Sequence, residues 1–397
     1  MTRGLVVVGA SLAGLRAVEG ARRAGFDGPI TLIGGEPHPP YDRPPLSKSF
    51  LDGEVDVPYY RTGEFLTGEL GVRLLLGTPA SGLDTDARSV IVGGAEIPYD
   101  GLVIATGATA RRLPGAGELS GVHTLRTLDD ARAVREALEA GPRTVVIGAG
   151  FIGSEVASAA RKRGLDVTIV EAAPTPLTRA LGALGGVCSN LHRVHGTDLR
   201  CGAAVEALEG NGRVDRVRLA DGTVLDADLV VVGIGAEPET GWLDGSGLVV
   251  DNGVVCDESL AASVPGVYAA GDVARWFNPL FGRHMRLEHW SSAAEQGAAA
   301  GAAAALPGAA KPYETVPYFW SDWYDTRLQF VGVPEADEVE IALGDVESNR
   351  FVALYRAGDR LAGALTVNRP RETMKFRALI ARRTGWREAL AFTATRR

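Results

Sequence analysis

Thr144-Val145-Val146-Ile147-Gly148-Ala149-Gly150-Phe151-Ile152-Gly153 reads as an apolar strand running into a GxGxxG turn. A helical stretch to Arg163, a second apolar strand from Val167 to Val170 and the acid Glu171 follow. In that order these are the parts of a βαβ dinucleotide-binding unit. Backbone N–H groups at the helix N-terminus, with their partial positive charge, receive a pyrophosphate, and the strand-end acid takes a ribose hydroxyl. A lone GxGxxG is often only a tight strand–helix turn, but here the whole unit occurs twice. Leu5 to Val8 is a strand, Gly9-Ala10-Ser11-Leu12-Ala13-Gly14 a loop, a helix runs to about Arg23, and a strand from Ile30 to Ile33 precedes Glu36. Ser11 stands where the middle glycine belongs, and its Cβ limits how closely a diphosphate approaches.

The rest of the composition narrows the class. A chain of 397 residues is expected to form two or three domains, and 46% hydrophobic with 23% charged residues is normal for a packed globular protein. The 51 glycines are an excess, clustered near apolar β-branched runs. A net charge of -8 argues against general nucleic-acid binding. Cys188, Cys201 and Cys256 share no CxxC or metal-ligand spacing, so neither a disulfide scaffold nor a metal site is expected. The N-terminus leaves no room for a signal peptide, and no apolar run approaches the length of a membrane span. The expected location is the cytoplasm. The alanine-rich run from Ala298 to Leu306 reads as a buried helix.

Further strands end in small-residue turns: Leu102 to Ile104 before Ala105-Thr106-Gly107, and Leu229 to Ile234 before Gly235. Gly266 to Ala270 is a strand leading to Gly271-Asp272, and ligands of open α/β sheets bind beyond such carboxyl ends. Asp272 is there either to accept sugar or ribitol hydroxyl hydrogen bonds or to cap the next helix. Ser292-Ala293-Ala294-Glu295 has the form of a capping box that would start a helix. From about Lys311 an aromatic stretch around Trp320 is followed by strand-like segments Leu328 to Val333, Glu338 to Leu343 and Arg350 to Tyr355. The fold class is therefore α/β, with two Rossmann-like dinucleotide-binding domains plus a small α+β C-terminal domain.

The order of these segments, with Pro40-Tyr41-Asp42-Arg43-Pro44-Pro45-Leu46-Ser47-Lys48, Val250-Asp251-Asn252-Gly253 and Arg286-Leu287-Glu288-His289-Trp290, resembles a known family over essentially the whole chain. It is that of the FAD-dependent, NADH-linked reductases that feed electrons to [2Fe–2S] ferredoxins or rubredoxins for oxygenases and cytochromes P450. The resemblance implies an FAD domain in two parts (1–107 and 239–310), an NAD domain (108–238) and a C-terminal interface domain (311–397). It implies that hydride passes from NADH to FAD, and single electrons onward to a ferredoxin serving a P450 or Rieske oxygenase.

Residue by residue, the resemblance implies that Gly9, Ser11, Leu12, Ala13, Gly14 and Glu36 hold the ADP half of FAD. It sets Arg43, Lys48, Ala80, Ala105, Thr106, Gly107, Arg126, Asp272 and Trp290 along the same cofactor. Gly148, Gly150, Ile152, Gly153, Glu171 and Gly235 would hold NADH. Glu155, one turn into the second loop's helix, would approach Lys48 near the flavin, although on residues alone a surface ion pair is the plainer reading. Trp320 would pack near the isoalloxazine ring, its ordinary alternative being a core tryptophan. His284 and His289 read as structural, because hydride transfer needs no general base.

Glu171 selects NADH, since a carboxylate repels a 2′-phosphate and Ala172-Ala173 supply no arginine. Arg179 remains the open exception. Disulfide reductases of this architecture carry a redox cysteine pair where this chain has Leu46-Ser47-Lys48, so thiol relay is disfavoured. From Arg369 to Arg397 stand nine Lys/Arg and two Asp/Glu, a basic patch suited to an acidic ferredoxin or simply a solvated helix face. Direct reduction of a quinone, radical or oxygen, and a flavoprotein acting mainly through a protein partner, are the competing readings.

Overall fold

The computed structural model describes residues 4–114, 119–306, 308 and 310–394. It contains two compact units. The first gathers the chain up to Asp42 with Pro58–Thr109 and Glu237–Pro317; the second gathers Arg43–Val57, Ala110–Ala236 and the chain from Tyr318.

The elements that carry the site are, in chain order, β1 (Leu5–Val8), α1 (Leu12–Arg23), β2 (Ile30–Ile33), β3 (Thr144–Ile147), α2 (Phe151–Lys162), β4 (Val167–Glu171), α3 (Trp290–Ala305), β5 (Tyr318–Trp323) and α4 (Pro370–Ala381).

In the first unit β1 is central in a five-stranded sheet, in register with Ile30 on one side and Gly101 on the other through Leu5. Its pairings with both neighbours are parallel, and Leu5, Val6, Val7 and Val8 are all buried, which is why its apolar run is unbroken. The alanine–glycine run of α3 has a steric cause. A Cβ at Gly297 would lie 2.2 Å from the Ala13 carbonyl oxygen, and one at Gly301 2.0 Å from that of Ala17. Helices α1 and α3 thus meet backbone to backbone, and nothing larger fits.

The second unit repeats the plan, with β3 between β4 and Leu229–Val232 in a five-stranded sheet. It also holds the C-terminal five-stranded antiparallel sheet, ordered β5, Thr326–Gly332, Arg360–Val367, Arg350–Ala357 and Glu338–Asp345. Trp323, Phe330, Phe351 and Tyr355 are buried in its core with Leu181 and Leu191. The three strands expected from sequence are present as Thr326–Gly332, which leaves Val333 outside, and, two residues longer each, Glu338–Asp345 and Arg350–Ala357; β5 and Arg360–Val367 complete the sheet.

The capping-box expectation is corrected. Helix α3 starts at Trp290 with His289 as N-cap, so Ser292 is already inside the first turn and buried. Glu295 is drawn away by stronger partners, accepting hydrogen bonds from the Tyr313 and Thr315 hydroxyls at 2.9 and 2.8 Å. No helix among the described residues is long and apolar enough to cross a membrane. Of the basic C-terminal residues, Arg396 and Arg397 lie outside the described residues.

Candidate functional site: two glycine loops and a buried carboxylate

Each glycine loop is shaped by the strand beside it. Gly9 has φ +117°, and a Cβ there would fall 2.0 Å from the Ala105 carbonyl oxygen; at Gly14 it would fall 1.8 Å from that of Gly9. In the second loop Gly148 has φ +101° and faces the Gly233 carbonyl at 2.4 Å, and Gly153 faces that of Gly148 at 2.1 Å. The outer glycines are therefore demanded by the chain itself. The middle one is not: the nearest atom to a Cβ on Gly150 is the Gly233 oxygen at 3.8 Å. Its missing side chain leaves a cradle open on the outer side of the loop, where a diphosphate fits.

Both helix N-termini match that use. Neither α1 nor α2 has an acidic residue in its first turn, and neither Ser11 nor Gly150 supplies a side-chain capping bond. The leading N–H groups keep their partial positive charge for an anion.

Around the first loop, in the first unit, Ala105 and Thr106 close against Gly9, and Gly271 lies with its Cβ position 3.0 Å from the Ala13 methyl. Leu12 and Ala13 are buried at the start of α1. Thr106 donates its hydroxyl to the Glu239 carbonyl at 2.7 Å, and Gly107 turns the chain at φ +73°. Asp272 sits in a short 3-10 turn whose N-cap is Ala270, so it is not a helix cap. His289 lies close enough for the Asp272 charge to favour its protonation, yet desolvation dominates and pushes the imidazole down to about 4. Glu36 accepts the Tyr41 hydroxyl at 2.5 Å. Trp290 donates its indole N–H to Asp42 and to the Tyr60 oxygen, both at 2.8 Å. Ala80 begins the first strand of a small three-stranded antiparallel sheet. His284 stands apart, its ring edge-on to Phe277.

Around the second loop, in the second unit, Glu171 closes β4 and binds the loop directly. Its Oε2 accepts the Ala149 N–H and its Oε1 the Ala173 N–H, both at 2.8 Å. A carboxylate retains lone pairs for a further hydroxyl after two such bonds. Ile152 at the loop and Ile234 beside it are exposed apolar side chains, and Gly235 turns at φ +101°. Gly233 and Ile234 were not anticipated as loop partners; their signal was a small-residue turn at the end of a buried strand, read only at Gly235.

The Lys48–Glu155 pair is not on the surface. Glu155 is 2% exposed, and Lys48 Nζ reaches its Oε1 at 2.8 Å. The Ser47 hydroxyl donates to Oε2, and the Ser321 hydroxyl to Oε1, while Ser321 accepts the Trp323 indole N–H at 2.8 Å. One carboxylate thus gathers the Pro44–Ser47 turn, α2 and β5. Ser47 and Ser321 were invisible as its partners, since hydroxyls so far apart in sequence carry no periodic signal. Trp320 is half-buried and stacked on Tyr318 at 5.7 Å; the core tryptophan of this strand is Trp323. Arg43 donates to the Arg126 carbonyl at 2.8 Å. Cys188 and Cys256 are buried, with both thiols pushed up to about 12 by desolvation.

Residues 3–297 match the family model for pyridine nucleotide-disulphide oxidoreductases. The chain belongs to the pyridine nucleotide-disulphide oxidoreductase family. Residues 318–394 match a second model, the reductase C-terminal domain, over the antiparallel sheet and its helices. This oxidoreductase is 40% identical to rhodocoxin reductase of Rhodococcus erythropolis over 383 residues, covering 95% of this chain and 89% of that one. It is 38% identical to the ferredoxin–NAD(+) reductase component of the anthranilate 1,2-dioxygenase system of Burkholderia cepacia, covering 95% and 93%. Among solved structures it is similar to putidaredoxin reductase in its covalent complex with putidaredoxin, with a TM-score of 0.91, 38% identity, and 96% and 93% of the two chains covered.

Proposed function

We infer that this oxidoreductase is an FAD-dependent NADH:ferredoxin reductase that supplies electrons to a P450 or Rieske oxygenase through a [2Fe–2S] ferredoxin. The observation that carries it is likeness to reductases of such systems over 95% of the chain, C-terminal domain included. The readings as a small-acceptor reductase or a partner-binding flavoprotein have no such support.

FAD belongs at the first loop, where α1 offers its uncapped N-terminus and Glu36 a ribose acceptor. On this reading Asp272 takes the ribitol and Trp290 the flavin side of the same cofactor, with Ala80, Ala105, Thr106 and Gly107 beside it. The family resemblance assigns Arg43, Lys48, Arg126 and Trp320 to the same cofactor. NADH belongs at the second loop, with Gly150 giving the diphosphate room, Ile152 and Gly235 flanking it, and Glu171 holding the adenosine ribose. Bound FAD supplies the chemistry itself, taking a hydride and releasing electrons singly. The protein contributes position and electrostatics: the Lys48 ammonium neutralises the buried Glu155 carboxylate, and Ser47 and Ser321 fix its orientation. Leu46-Ser47-Lys48 stands where disulfide reductases carry their redox cysteine pair, and burial raises the pKa of all three thiols, so thiol relay is disfavoured.

The expected partner is acidic. Arg371, Lys375, Arg382, Arg383 and Arg387 are exposed on and just after α4, with Met374 exposed among them. Such a face steers an acidic ferredoxin and raises its association rate. We place the protein in the cytoplasm, where NADH and oxidised ferredoxin would meet it. NADH-driven cytochrome c reduction, with and without an acidic [2Fe–2S] ferredoxin, tests the assignment. A strong stimulation that weakens as salt rises is expected. Rapid ferricyanide reduction with no response to any such ferredoxin contradicts it.

A further inference from the structure

We propose that the two consecutive residues Tyr41 and Asp42 form a single positioning element of the FAD site, Tyr41 fixing Glu36 and Asp42, with Tyr60, fixing Trp290. This rests on the reading that FAD occupies the first loop.

Asp42 donates its N–H to Pro58 O at 2.8 Å, and Tyr60 donates to Pro40 O at 2.9 Å, so residues 40–42 and 58–60 run antiparallel, bridged at Tyr41 and Tyr59. Successive side chains on extended backbone point to opposite faces. Tyr41 and Asp42 can therefore serve two different ligand-facing residues from adjacent positions.

On one face, Tyr41 is 3% exposed, and a buried phenol needs a hydrogen-bond partner. It finds Glu36 Oε2 at 2.5 Å. Glu36 follows Gly34 and Gly35, and the phenol holds its carboxylate in place.

On the other face, Asp42 Oδ1 accepts the Tyr60 hydroxyl at 2.5 Å and the Trp290 indole N–H at 2.8 Å. The same N–H reaches the Tyr60 oxygen at 2.8 Å, so the indole is held by two acceptors at the first residue of α3. Burial and the Asp42 charge keep the Tyr60 phenol protonated, and hence a donor. The Arg16 guanidinium of α1 lies over the Tyr60 ring, 5.9 Å from its centroid, which ties the element to the helix of the glycine loop. Loop helix, ribose acid and Trp290 are thus indexed to one short extended pair. None of these three supporting side chains needs to touch the cofactor.

The test is the equilibrium release of FAD on dilution of the holoprotein, read as free flavin fluorescence, for Tyr41→Phe and Asp42→Asn. Each is expected to raise the FAD Kd about tenfold, equivalent to about 1.4 kcal/mol, with thermal melting in excess FAD close to wild type. Because Tyr41 acts through Glu36, its effect should vanish in the Glu36→Gln background. Unchanged Kd values in both variants, or a Tyr41 effect that persists undiminished beside Glu36→Gln, overturn the proposal. If Tyr41→Phe does not fold, Tyr60→Phe carries the same test for the Trp290 arm, with the same expected rise and the same refutation. A wild-type chain that purifies without FAD and binds none refutes the cofactor reading itself, an outcome separate from wild-type binding with unaffected variants.

Discussion

The ammonium of Lys48 stands 2.8 Å from a Glu155 carboxylate that is almost wholly withdrawn from water. A charge so placed needs its partner, because removing one member of a buried pair leaves the other uncompensated. Lys48 itself is partly exposed, and two serine hydroxyls still reach Glu155, so the full penalty is softened. Lys48→Ala is expected to lower stability to denaturant by about 2 kcal/mol. It should also slow flavin reduction by NADH more than it weakens FAD retention, measured by stopped flow and by flavin absorbance after purification. Wild-type stability and rate would make the pair peripheral.

The glycine loop makes a sharper prediction, since its positions differ in what they protect. Gly153→Ala must displace the Gly148 carbonyl, 2.1 Å from the new methyl, and should cost about 3 kcal/mol or more. Gly150→Ala meets nothing of the chain closer than 3.8 Å. It should melt within about 0.5 kcal/mol of wild type while the KM for NADH rises about tenfold. Equal NADH binding in Gly150→Ala would mean that the cradle faces no ligand.

The two βαβ units were legible because each combines a buried parallel strand, a glycine loop and a strand-end acid, signals that lie within about thirty residues. Their loop residues, Gly9, Gly14, Gly148 and Gly153, are fixed by contacts the motif itself implies. What lay outside the sequence were partners brought together by tertiary packing: Ser321 on Glu155, Gly233 against Gly148, and Asp42 and Tyr60 on Trp290. The Ser292–Glu295 pattern misled for the same reason. A local capping signal lost to hydroxyls of Tyr313 and Thr315, which the fold places beside Glu295.

Glu171 orders the loop through the Ala149 N–H, and the proposed function gives it the adenosine ribose as a second task. Glu171→Ala should therefore raise the KM for NADH about tenfold, the worth of one charge-assisted hydrogen bond. The preference for NADH over NADPH should narrow by a similar factor, because the repulsion of a 2′-phosphate is gone. Steady-state kinetics with both nucleotides check this; unchanged selectivity would remove Glu171 from cofactor choice.

His192 predicts an acid limb to stability. It is buried, stacked on Trp323 at 5.1 Å, with Nδ1 2.8 Å from the Tyr324 hydroxyl and Nε2 3.2 Å from Ser154 Oγ. Burial, and secondarily the neighbouring His195, push its pKa down to about 4. Between about 6.5, the value in an unfolded chain, and about 4, the unfolded state binds the extra proton. Stability is therefore full above about pH 6.5 and falls as pH drops towards 4, by about 3 kcal/mol for this group. His289, also held near 4, acts in the same direction. Thermal melting from pH 7.5 to 4.5 should show a shallower decline for His192→Asn than for wild type, from a lower starting point. Parallel curves would contradict the assignment.

An anaerobic titration reads directly where the electrons go. The protein, reduced by a known amount of NADH, is mixed with an oxidised acidic [2Fe–2S] ferredoxin, and the iron–sulfur absorbance is followed. Rapid bleaching of two ferredoxins for each NADH consumed is expected, since a hydride carries two electrons and each cluster takes one. A flavin that NADH reduces promptly, beside a ferredoxin spectrum that stays oxidised, would contradict it.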